Sequence, residues 1–207
     1  MQKKIVVHMY LKNGKAVTGF DGKELLEDGD VMSIAQHYSN NGADELLIFD
    51  LSDDDADHEQ SLNLIRQISR VIDIPMSGGG HIKNLEDVKK LLYAGCQQVF
   101  LNYAKAANIE LTEEVSKRFG KEKIAICTDS FAQLQANKAR VNEYTSRVIL
   151  LCDEVDVRTT ARLVEVPVLP VSTRADRHGL LKLLMLDNIC GVCGDTFSDL
   201  NEDLMAA

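Results

Sequence analysis

The sequence has no cluster of lysines and arginines: 23 basic residues stand against 32 acidic ones, for a formal net charge of -9 at pH 7. No basic surface offsets that field, which argues against nucleic acid or an acidic membrane as a dedicated partner. An apolar run long enough to span a bilayer is also missing. The basic start Met1-Gln2-Lys3-Lys4 leads into an apolar run too short for a signal peptide, so the expected location is the cytoplasm. No second cysteine pair accompanies Cys190 and Cys193, which leaves a four-cysteine zinc site incomplete. The odd set of Cys96, Cys127, Cys152, Cys190 and Cys193 sits in apolar segments, as small buried hydrophobes of a reducing compartment do. Residues three apart in a strand point to opposite faces, so Cys190 and Cys193 read as core residues rather than a redox pair. Neither a metal nor a cofactor is expected.

What is present is an ordinary globular composition, 45% hydrophobic and 27% charged over 207 residues, which fits one domain spanning residues 1–207. Apolar, β-rich runs at 4–10, 45–49, 74–76, 98–102, 123–128, 148–152, 166–171 and 189–194 predict strands. Between them, helical spacing appears at 31–41, 59–71, 85–93, 112–119, 131–138, 157–164 and 180–186, with a short terminal helix from Asp199. A turn at Lys12-Asn13-Gly14 and a second extended piece at 16–20 follow the first strand, and then a polar loop at 21–30. Eight mostly continuous apolar strands, each followed by a helix, predict a closed parallel (β/α)8 TIM barrel. An open doubly wound sheet shows the same alternation. An internal repeat favours the barrel: Pro75 precedes Lys90-Leu91-Leu92 by the same interval as Pro167 precedes Lys182-Leu183-Leu184. That lays the third and fourth strands over the seventh and eighth.

In such a barrel the chemistry sits at the C-terminal ends of the strands. These are Tyr10, Asp50, Gly78-Gly79-Gly80, Asn102, Asp129, Asp153, Ser172 and Asp195. Glycines before a helix bring bare backbone N–H groups close to an anion, though three glycines alone read equally well as a mobile turn. Asn102, on the neighbouring strand, is placed to donate its amide to a phosphate held by Gly79 and Gly80. Asp50 and Asp129 suit acid or base work, but each also stands where an aspartate commonly caps the next helix, and capping is the slightly favoured reading. His81 follows the glycines; an exposed loop histidine is its commoner fate.

The stretches Leu11 to Val17, Gly29-Asp30, Gly42 to Asp50, Ile74-Pro75 with Gly78-Gly79-Gly80, and Val99 to Asn102 resemble the HisF-type cyclase subunit of imidazole glycerol phosphate synthase and its sister isomerase barrel. The resemblance is nearly collinear over residues 3 to 129 and weak beyond. It implies a HisA/HisF-like barrel of histidine biosynthesis with two phosphate sites, one in each half, and two aspartates acting as acid and base. Carried over, the first phosphate site falls on Gly79, Gly80 and Asn102, one catalytic aspartate falls on Asp129, and Asp50 also matches. The other catalytic aspartate falls on Tyr10, a phenol whose unperturbed pKa near ~10 makes it no substitute for a carboxylate base at neutral pH.

The second phosphate site, a glycine pair in the family, is here Ser172-Thr173-Arg174-Ala175-Asp176, where Arg174 offers charge in place of backbone amides. The C-terminal half is thus shortened and stripped of most of its site. The implied protein is a degenerate member that binds a phosphorylated, phosphoribosyl-type ligand with impaired or lost cyclase activity. The resemblance leaves three partner arrangements open: a glutaminase subunit, fused phosphoribosyl-AMP cyclohydrolase and phosphoribosyl-ATP pyrophosphatase domains, or a homo-oligomer. Two other readings stand beside it, an active lyase or isomerase using Asp129 and a purely structural oligomerisation barrel.

Overall fold

A computed structural model describes residues 2–26, 29–152 and 156–197. In chain order the elements are β1 (Lys4–Lys12), β2 (Lys15–Thr18), β3 (Glu24–Leu25), α1 (Val31–Asn40), β4 (Glu45–Asp50), α2 (Asp55–Ile68), β5 (Met76–Gly79), α3 (Leu85–Ala94) and β6 (Gln98–Asn102). They continue with α4 (Ala106–Phe119), β7 (Ile124–Thr128), α5 (Phe131–Ala136), α6 (Lys138–Tyr144), β8 (Arg147–Leu151), α7 (Val157–Ala161), β9 (Val168–Ser172), α8 (Arg177–Leu183) and β10 (Gly191–Gly194). Strands β1 and β4 to β10 run parallel in sequence order, and β10 returns to β1 through the pair Ile5 and Val192. That closure makes the sheet an eight-stranded barrel and excludes the open doubly wound alternative. The hairpin of β2 and β3 hangs from β1 at the mouth. No helix among the described residues is long and apolar enough to cross a membrane.

The strands read as unbroken apolar runs because both of their faces are buried. Val7, Met9, Leu11, Leu46 and Ile48 pack outward against the helices. Val6, Leu47, Phe100, Ala125, Ile149 and Leu169, on alternate positions, fill the barrel interior. The proline repeat has a structural counterpart. Pro75 and Pro167 each stand just before a strand, and each carbonyl accepts from the strand two elements back, Leu46 N at 3.0 Å and Val148 N at 2.9 Å.

Some boundaries differ from the sequence reading. Helix α2 starts four residues early because Asp54 caps it, accepting from Asp57 N at 2.9 Å. Helix α4 begins at Ala106, ahead of its apolar stripe, and the helix expected at 131–138 gives way at Asn137 to α5 and α6. Asp153 and the terminal helix expected from Asp199 lie outside the described residues.

The N-terminal end of the barrel carries a polar plug. Arg147 of β8 reaches across to Glu45 of β4, placing Nη1 3.0 Å from Oε2 and pairing Nη2 with Oε1, while its Nε donates to Gln98 Oε1 at 2.6 Å. Ser77 Oγ donates to Glu45 Oε1 at 2.7 Å, and Lys4 Nζ lies 3.3 Å from Oε2.

Candidate functional site

At the opposite end, the C-terminal ends of β4, β5 and β6 surround a cavity of about 300 Å³ whose lining includes Lys12, Asp50, Gly79, Gly80, Asn102 and Lys105. Its wall lies close against backbone. A Cβ on Gly79 would come within 2.3 Å of the Phe100 ring. Gly80 has φ +112°, and a Cβ there would lie 2.1 Å from the carbonyl oxygen of Asp50. Both positions line the cavity, and as glycines they do so with main chain alone. Gly78 points the other way, since a Cβ on it would meet Cys96 Sγ at 2.8 Å in the helix layer, and it does not line the cavity.

The positive end of the helix after the glycines is closed to an anion. The side chain of Asn84 accepts from Glu86 N and Asp87 N at the start of α3, and Asp87 reaches back to Lys83 N and Asn84 N. Helix α4 is different: Lys105 occupies its N-cap and makes no side-chain cap bond. Asn102, exposed at the end of β6, orders the intervening turn by accepting from Ala104 N at 2.9 Å. The uncapped amides thus belong to the helix that follows Asn102, not to the one that follows the glycines.

Asp50 is not a helix cap. Its carboxylate, 1% exposed, accepts from Ser52 N at 3.0 Å and from Ser52 Oγ, and takes His58 Nδ1 at 2.5 Å. The cap of α2 is Asp54. The ring of His58 stacks on His81, 4.7 Å between centroids. His81 is not a loose loop histidine either: its side chain is 9% exposed, with Nδ1 3.2 Å from Ser52 O and Nε2 2.7 Å from Asp55 Oδ1. A carbonyl and an ionised carboxylate can only accept, so both bonds form together when the ring carries two protons.

Hydrogen bonds from His81 and then Lys83 hold the Asp55 carboxyl down from 3.8 to about 2. A folded-state pKa below the unfolded one gives stability that is complete above the unfolded value and is lost as pH falls through the folded value. Asp55→Asn is therefore expected to flatten the acid limb of the stability profile between about pH 4 and pH 2, read from urea unfolding at a series of pH values. An unchanged limb would show that the bonds do not persist in solution.

Asp129 is exposed just past β7 and does not line the cavity. Nor does it cap α5. Ser130 does so, accepting from Gln133 N at 3.2 Å, while Thr128 Oγ1 accepts from Ser130 N at 3.1 Å. Beneath it, burial and then the charge of Asp129 push the Cys127 thiol up to about 12. Tyr10 is buried in an aromatic cluster, with ring centroids 5.0 Å from His8, 4.8 Å from Phe20 and 5.2 Å from Phe49. An apolar plug thus fills the place where the resemblance put the second acid or base.

In the C-terminal half, the loop after β9 is tied by its own side chains. Ser172 Oγ accepts from Arg174 N at 3.2 Å and Ala175 N at 2.9 Å, and Asp176 caps α8 through Gly179 N at 2.5 Å. The Asp176 carboxylate thus occupies the start of α8. At the end of β10, Cys193 Sγ lies 3.3 Å from His8 Nδ1, and His8 Nε2 pairs with Asp195. Burial raises the Cys193 thiol well above its ordinary range. Cys96, Cys127 and Cys193 are buried, Cys152 and Cys190 are half-buried, and all five are free thiols. No group of three or more His, Cys, Asp or Glu side chains among the described residues is placed to hold a metal.

Sequence reasoning missed His58 and Lys105. An acid at a strand end followed by a histidine in the first turn of the next helix was the available signal for the former.

Eight parallel strands, with glycine backbone and an amide side chain gathered at their C-terminal ends, define a (β/α)8 barrel with a cavity at its mouth. The chain belongs to the histidine biosynthesis protein family, whose model matches residues 4–187. Among its relatives are HisF subunits of imidazole glycerol phosphate synthase. The one from Flavobacterium psychrophilum is 33% identical over 130 residues, covering 63% of this chain and 52% of the relative. That from Haemophilus influenzae is 32% identical over 162 residues, 77% of this chain and 60% of the relative. That from Helicobacter hepaticus is 34% identical over 132 residues, 62% and 51% respectively. The chain spans about half the length of the curated relatives it matches.

Proposed function

We propose that this histidine-biosynthesis barrel binds a phosphorylated, phosphoribosyl-type small molecule at the mouth of its N-terminal half, in a binding or regulatory role with cyclase activity impaired or lost. The observation that carries the reading is the convergence of Gly79, Gly80 and Asn102 on one cavity, beside Lys105 and the uncapped start of α4. Backbone amides, a side-chain amide and an ammonium are the donors a phosphate takes. The opposite half keeps its amides for Ser172 and Asp176, so a long substrate held at both ends has one grip here. With Tyr10 packed among aromatic rings, Asp129 lacks the opposing carboxylate of an acid–base pair.

Calorimetric titration with ribose 5-phosphate tests the reading. Asn102→Ala is expected to weaken binding by roughly tenfold or more, the worth of one hydrogen bond to a charged group. No binding to the unaltered chain, or equal binding by the variant, would refute it. Ammonia-dependent turnover abolished by Asp129→Asn would instead favour the active lyase.

A further inference from the structure

Strand β1 has a gap along one of its edges. Strand β4 pairs along the other edge from Val6 to Leu11, so β10 and β2 share this one. They do not meet: β10 pairs with β1 only as far as Val6 and Cys193, and β2 begins to pair at Tyr10 and Val17. In the gap, beside the hairpin, lies a second cavity of about 220 Å³. It shares no lining residue with the cavity at Gly79 and Gly80. Its walls are largely apolar and aromatic, with Val7, Val17, Leu26, Tyr10 and Tyr38, and its charge comes from His8 and Asp195.

The side chain of His8 is only 2% exposed and is held from both sides, Nδ1 lying 3.3 Å from Cys193 Sγ and Nε2 pairing with Asp195. Burial keeps the Cys193 thiol protonated. Its S–H then serves Nδ1, and the ring's own proton falls on Nε2, against the Asp195 carboxylate. A neutral imidazole fixes that carboxylate in place without cancelling its charge. The Asp195 side chain is 56% exposed, and its second oxygen has no partner among the described residues. A fixed anion at the end of an apolar slot, in a chain of net charge -9, favours a cation, and the two tyrosine rings add surfaces that attract one. The volume falls below the roughly 300–1,000 Å³ of drug-sized pockets, so the ligand is no larger than about one ring and a short tail. We propose that this seam between β10 and β2 binds a small organic monoamine, with its ammonium on Asp195 and its apolar body in the slot.

The full chain is titrated calorimetrically with 2-phenylethylamine and with 2-phenylethanol, which keeps the skeleton and lacks the charge. Salt is held at about 0.15 M, where long-range attraction to an acidic chain is screened. The amine is expected to bind about tenfold or more tightly than the alcohol, the worth of one hydrogen bond to a charged group. Asp195→Asn keeps the shape and removes the charge, and it is expected to erase the preference. Circular dichroism confirms that the variant folds, as exposure of the side chain leads one to expect. Asp53→Asn takes a carboxylate from the other cavity and is expected to leave amine affinity unchanged. Equal affinities for amine and alcohol, a preference that survives Asp195→Asn or disappears in Asp53→Asn, or no binding of the amine overturns the site.

Discussion

Glu45→Gln is expected to lower the free energy of unfolding by about 3–5 kcal/mol, the usual result of removing one partner from a buried ion pair. Both carboxylate oxygens are engaged by Arg147, with Ser77 and Lys4 completing the set. A glutamine keeps the shape but leaves a guanidinium buried without its counter-charge. For a chain of this length the loss corresponds to a fall in Tm of about 6–20 °C. Burial would raise the Glu45 pKa, but the charge and hydrogen bonds of Arg147, helped by Ser77, outweigh it and hold the carboxyl below its usual range. The pair's contribution is therefore present at neutral pH and disappears as pH falls through that lowered value. The penalty of Glu45→Gln should shrink accordingly in acid. Glu45→Leu combined with Arg147→Met should recover much of the loss, because no buried charge remains. A single-mutant penalty below about 1 kcal/mol, the surface-pair range, would mean that water reaches the pair and that the plug is leaky.

Gly80→Ala is expected to cost roughly 3 kcal/mol or more and to abolish ribose 5-phosphate binding, since it adds a steric clash to a backbone penalty of about 1–3 kcal/mol. The clash is with the carbonyl oxygen of Asp50, 2.1 Å from the new Cβ, and a strand backbone cannot swing aside as a side-chain tip can. Relief requires β4 and β5 to separate at the point where the cavity is lined. Gly19→Ala is the matched control: it also has positive φ, +62°, but nothing lies within 4 Å of its Cβ. It should lose only about 1 kcal/mol and keep its ligand affinity. Thermal melts and calorimetry on both variants decide the matter. If Gly80→Ala melts and binds like the control, the close approach of β4 and β5 is wrong.

The barrel was legible because its strands, buried on two faces, leave an uninterrupted apolar signal, and because Pro75 and Pro167 mark equivalent points of the two halves. Gly79, Gly80, Asn102 and Asp50 were legible as strand ends, and the fold brings all four to one cavity. What each one does locally was not. Asp50 looked like a helix cap because its true partner, His58, lies beyond an irregular loop whose path no periodicity encodes. Within the acidic run from Asp53 to Asp57, Asp54 caps α2 and Asp55 binds His81 and Lys83, the latter a role set by distant neighbours that no local pattern names. The uncapped helix end is that of α4, since Asn84 and Asp87 satisfy the helix that follows the glycines. Glu45 and Arg147 are 102 positions apart and meet only because the barrel closes.

The polar plug also sets the traffic rules of the molecule. With Arg147 and Glu45 tied across one end, and Val6, Leu47, Ala125, Ile149 and Leu169 filling the interior, the described residues leave the barrel a stoppered vessel rather than a pipe. Whatever occupies the mouth leaves by the way it came.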